Sequence, residues 1–155
     1  MLTVVGRDEE VGVATLDNMV IYLERQIPRA RPHVGWLDRG ITDVLRLHGA
    51  STAHLHVVEV TQRAGMRDGP REELTALARR VDGHLGAAAF VVPDRGFYAS
   101  VVRSVITGVL FAVSPSSRTS SFAQVPDAVE WLRAECGRGP PLAEVELALA
   151  ALRGG

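Results

Sequence analysis

Two histidines one residue apart, His54 and His56 in AHLHVVEV, have a spacing that could do chemistry. On a strand they project to the same side, at a separation able to serve one metal ion. A metal site needs a third ligand. Glu59 faces the opposite side by parity, and His48 lies across a loop. The pair is therefore read as packed histidines, at a sheet edge or under a helix, and neither a metal nor another cofactor is assigned. A second chemical candidate is the stretch VPDRGFYASVVRSVITGVLFAV at 92–113. Its Asp94-Arg95-Gly96 turn stands between a strand pattern and a helix pattern, where open α/β sheets bind ligands. A nucleotide or lipid held by Asp94, Arg95, Gly96 and Tyr98 is the ligand reading of this turn. A lone glycine makes no phosphate cradle, however, and a similar triplet, Asp38-Arg39-Gly40, falls inside a helix pattern. A helix-capping turn is the expected role.

The helix that follows carries Ser100, Ser104, Thr107 and Gly108 as a small polar stripe, continued by Phe111, down an otherwise apolar cylinder. Small side chains let another backbone approach closely, so this surface is expected to seat a helix from its own domain or from a second subunit. All 17 cationic residues are arginine. The lack of lysine removes Schiff-base chemistry, a lysine base and a Walker-type phosphate loop. GxSxG is absent, and Cys136, near a helix end, reads as a buried apolar thiol. The terminal LRGG resembles the tail by which ubiquitin is conjugated, but here it closes a helical seam, where Gly154 is an ordinary cap. No enzyme is expected.

Composition supports a protein with an ordinary core. The 155 residues are 46% apolar and 23% charged, with a net charge of −1. A chain of this length fits one domain spanning 1–155, and the near-neutral charge offers no field to gather nucleic acid. Arg103, Ser104 and Thr107 interrupt the most hydrophobic helix, so no run reaches the roughly 18–20 apolar residues of a membrane span. One cysteine and a first segment, MLTVVGRDEE, without a basic start or long apolar core place the expected location in the cytoplasm.

The elements that must position these residues follow from periodicity. VGVATLDNMVIYLERQ predicts strands at 11–16 and 19–26, joined by a tight turn at Asp17-Asn18. Leu37, Ile41, Val44 and Leu45 recur at helical spacing over 34–48 until Gly49. A buried strand at 53–60 precedes a helix at 70–85, with Pro70 at its start and Leu74, Leu77, Ala78, Val81 and Leu85 on one face. AAAFVV at 87–92 is another buried strand. After the apolar helix come a weaker strand at 118–125 and a helix from Pro126 to Cys136 with Ala128, Val129 and Leu132 inward. Leu142, Val145, Leu149 and Leu152 form a narrow seam on a last helix at about 141–153. Placed after a Gly-Pro hinge, this seam can fold back on its own domain or cross to a partner. Strands alternating with helices imply an α/β fold with a mostly parallel sheet, to which the N-terminal hairpin adds an antiparallel edge.

This order resembles the STAS domain, the fold of bacterial anti-sigma-factor antagonists and of sulfate-transporter cytoplasmic tails. The likeness spans about residues 11–136 and rests on VATLDNMVIYLE, HLHVVEV, AAFVVPDRGFYASVVRSVITG and FAQVPDAVEWL. It implies a non-enzymatic signalling module that acts by protein contact, with self-association expected through the last or the third helix. Switchable members carry a phosphoacceptor in an Asp-x-Ser type motif at the start of a helix after the third strand. Here that region reads VEVTQRAGMRDGPREEL, and Thr61 is its only hydroxyl near the expected position. Thr61 precedes a long loop instead of capping a helix, which departs from the pattern.

Overall fold

The computed structural model describes residues 1–25, 32–59, 71–92 and 115–154. Strands β1 (Leu2–Arg7), β2 (Val11–Leu16), β3 (Met19–Glu24), β4 (Ala53–Val58), β5 (Ala87–Val91) and β6 (Thr119–Phe122) form one sheet in the order β1-β2-β3-β4-β5-β6. The first three pair antiparallel and the rest parallel. Helices α1 (Pro32–His48), α2 (Arg71–Val81), α3 (Val125–Cys136) and α4 (Leu142–Arg153) pack against it. The fold is the α/β architecture that the periodicity implies. The expected helix within 92–113 lies outside the described residues.

Local chemistry explains most of these elements. The β2–β3 hairpin turns at Asp17, whose φ of 51° is the left-handed conformation that Asp and Asn tolerate. Register then runs unbroken from Leu16↔Met19 to Val11↔Glu24. Asn18 anchors the turn: its Nδ2 donates to the carbonyls of Ser51 at 2.5 Å and Arg138 at 3.3 Å. α3 carries Pro126 in its first turn and ends at Gly137 with φ 70°, where a side chain would be strained.

Strand β1 is an addition to the expected architecture. The hairpin is not the sheet edge; β1 is, paired to β2 from Leu2↔Leu16 to Arg7↔Gly12 with a register shift between Val4 and Gly6. Its alternation is faint because, among the described residues, one flank has no partner strand and Leu2 and Val4 stay exposed. Gly6 lies beneath the Trp36 indole, and any Cβ there would run into the ring.

The sheet order decides which helix covers which face. β3, β4 and β5 advance in one direction, so crossovers of the same hand through α1 and α2 fall on the same side. That side buries Val11, Val13, Val20 and Tyr22 against Leu37, Ile41, Val44, Leu77 and Val81. The reverse side buries Leu16, Ile21, Leu55 and Ala89 against Leu132, Val145, Leu149 and Leu152 of α3 and α4.

Candidate functional site

Strand β4 lies inside the sheet between β3 and β5, and its alternation sends Leu55 and Val57 to one core and His54 and His56 to the other. The histidines therefore sit at the middle of the sheet, on the α1/α2 face, and not at a sheet edge. Register places His56 between Tyr22 and Phe90, and His54 between Val20 and Ala88.

The two rings have different partners. His56 Nε2 is 3.0 Å from Glu24 Oε2, the carboxylate acting as acceptor. Tyr22 meets its ring edge-on at 4.6 Å, and Phe90 lies 5.2 Å away. His56 is thus held from three sides. His54 is 7% exposed, and its Nε2 is buried with no hydrogen-bond partner. Burial, reinforced by the neighbouring His56, pushes its pKa from 6.5 down to about 3. The imidazole is neutral at physiological pH, able to give or accept one hydrogen bond but far from the range of a proton shuttle. The Tyr22 hydroxyl is likewise buried without a partner, and burial, with Glu24 and Asp8 nearby, raises its pKa and keeps it protonated.

Above these rings is a cavity of about 200 Å³. Its floor is His54, His56, Ala88 and Phe90; Leu37 and Ile41 of α1 form one wall, and Leu74, Leu77, Ala78 and Val81 of α2 the other. Ser117 and Thr119 add hydroxyls along the β6 side. No Asp, Glu or Arg lines it among the described residues.

No third ligand joins the pair from Glu59, which lies where strand parity puts it. Glu59 faces away from the histidines and accepts hydrogen bonds from Arg153 Nε at 2.9 Å and from Arg153 Nη2. Among the described residues no three His, Cys, Asp or Glu side chains gather in a metal-ligating group.

A second cluster depends on β1, a strand that the residue pattern alone does not predict. After β1, the Asp8 carboxylate accepts the Glu10 and Val11 amides at 2.8 and 2.9 Å and meets His33 Nε2 at 2.5 Å. Partial burial would raise the Asp8 pKa, but the His33 and backbone hydrogen bonds outweigh it and hold the carboxyl low. His33 is 1% exposed and packs 5.2 Å from Trp36, so this group fastens α1 to the β1–β2 turn. The hint was the acidic DEE immediately before the first β-rich run.

The remaining sequence candidates divide by location. Asp94, Arg95, Gly96 and Tyr98, the stripe of Ser100, Ser104, Thr107, Gly108 and Phe111, and Thr61 lie outside the described residues. On α4, Val145, Leu149 and Leu152 are buried within the chain and Leu142 packs against the same core, so the seam folds back on its own sheet. Only Leu147 among the large apolar residues of α4 is exposed. Cys136 is buried, its Sγ 3.9 Å from the Thr52 carbonyl, and burial raises its thiol pKa. Gly154 caps α4 with φ 93°. No helix among the described residues is long and apolar enough to cross a membrane. Compared with protein-family profiles, curated proteins and solved structures, the chain matches none.

Proposed function

We propose that the chain is a non-enzymatic regulatory module of the STAS type, working in the bacterial cytoplasm by contact with another protein, a second copy included. The reading draws on the order of its elements: an antiparallel opening, parallel strands joined by crossover helices, and closing helices on the reverse face. Fold alone does not name an activity. The observation that carries contact as the mode of action is the β1 edge. It presents Leu2 and Val4, 37% and 46% exposed, beside a row of backbone groups that, among the described residues, has no neighbouring strand. Natural edges are commonly blunted by lysine, proline or a bulge, and here the apolar half of β1 precedes its only irregularity.

The α4 seam is occupied within the chain, so self-association is assigned to this edge instead. Light scattering after size exclusion, comparing the full chain with Val4→Lys, tests it. A dimer that becomes a monomer at unchanged melting temperature supports the reading; a monomer for both proteins removes self-association. The alternative mode, a nucleotide or lipid at Asp94–Gly96, rests on residues outside those described.

A further inference from the structure

Burying a polar atom without a partner is costly, and natural proteins leave few such atoms. His54 Nε2 is one, on a ring more than nine-tenths buried and lining a cavity otherwise walled almost entirely by hydrocarbon. The neighbouring histidine shows what a satisfied ring looks like on the same strand: His56 has Glu24. Register flanks His54 with Val20 and Ala88, neither of which carries a polar side chain, and the Ser117 hydroxyl that lines the same cavity is engaged by Asp82. The open space beside the ring leaves room for a partner. The terminal torsion of histidine is broad and close to two-fold, so a turn of the ring can bring a nitrogen to that space.

We propose that the cavity between α1, α2 and the sheet is a binding site for a small, uncharged, largely apolar molecule carrying one hydroxyl, a single-ring phenol or an alcohol of similar size, with His54 as its hydrogen-bond partner. Three observations set the class. The volume, about 200 Å³, suits one ring, because a cavity of about 150 Å³ already holds benzene. Among the described residues the lining offers no formal charge of either sign apart from its histidines, so a charged ligand would lose its hydration without a counter-ion. His54 is neutral and can serve a hydroxyl as donor or acceptor, whichever tautomer it takes.

The site is independent of the β1 edge and of the proposed protein contact. Its test uses phenol and toluene, which share shape and differ in the hydroxyl, titrated into the full chain and followed through amide resonances of residues lining the cavity. Benzoate serves as the charged control. Phenol should bind about tenfold more tightly than toluene, the difference one hydrogen bond makes, and benzoate should not bind. In His54→Leu the phenol preference should fall to within about twofold, and Ala88→Leu, which fills the floor, should weaken both probes tenfold or more. Ala78→Leu fills the same space from α2 should the Ala88 variant not fold. Absence of binding by either neutral probe overturns the proposal, as does a phenol preference that survives in His54→Leu, binding indifferent to both filling variants, or benzoate binding as tightly as phenol.

Discussion

Leu55 and His54 are adjacent on β4, yet they face halves of the molecule built on different terms. Below the sheet, Leu55 meets a layer of Ala, Val, Leu and Ile from β2 to β5, closed by α3 and α4 with Val145, Ala148, Leu149 and Leu152 at or near zero exposure. Above it, the corresponding row reads Tyr22, His56 and Phe90 with His54 beside them, and includes a hydroxyl and an imidazole nitrogen without partners and a cavity. The lower face has the composition of a core chosen for packing. The upper face has given up stability at its centre, and buried polar atoms that cost stability are candidates for functional groups.

Mutations that strike the lower face should produce the largest effect. Leu149→Ala removes a side chain 2% exposed between α4 and the sheet and is expected to cost about 2–5 kcal/mol in urea unfolding. Deleting α4 altogether should leave no cooperative transition, because it would bare Ala14, Leu16 and Leu23 of the hairpin. A cooperative transition in the truncated chain would mean that the lower face is not one core.

An intermediate effect belongs to the upper face and depends on pH. The folded pKa of His54, about 3, lies below its unfolded value of 6.5. Above pH 6.5 neither state holds the proton and the full stability is present; as pH falls below 6.5 the unfolded chain takes up a proton that the fold refuses, and stability is lost toward pH 3. Between pH 7 and pH 5 the loss should be on the order of 1–2 kcal/mol, and His54→Leu should flatten that part of the profile. An unchanged slope in the variant would show that the ring is not held neutral by burial.

The smallest effect should come from the rim. Arg153→Ala breaks an ion pair with Glu59 in which the arginine is 44% exposed, and the change in stability should stay within about 1 kcal/mol and shrink further in salt.

How much of this was legible in the residues varies with the kind of signal. The lower core was readable because it is made of period-two strands and period-3.6 helices: Val11–Leu16, Ala87–Val91 and the inward set Ala128, Val129, Leu132 all sit where their spacing puts them. Boundaries slipped where tertiary pairing ended the element: the expected strand at 118–125 is only Thr119–Phe122, and the helix expected at 70–85 ends at Val81, where Asp82 turns to accept hydrogen bonds from Ser116 and Ser117. β1 went unseen because an edge strand with Leu2 and Val4 outward lacks strict alternation. His54 and His56 were visible as a pair, but residue spacing carries no information about which of them Glu24, 32 positions from His56 in the chain, would engage.

The central claim is that one strand separates a packed core from a face whose buried imidazole has a nitrogen, Nε2, without a partner. Equilibrium urea unfolding at pH 7 of His54→Leu beside Leu55→Ala tests it most directly. Leu55→Ala should lose about 2–5 kcal/mol, whereas His54→Leu should be at least as stable as the parent, since it exchanges an unsatisfied nitrogen for hydrocarbon. Loss of 2 kcal/mol or more in His54→Leu, comparable to its neighbour, would contradict the account.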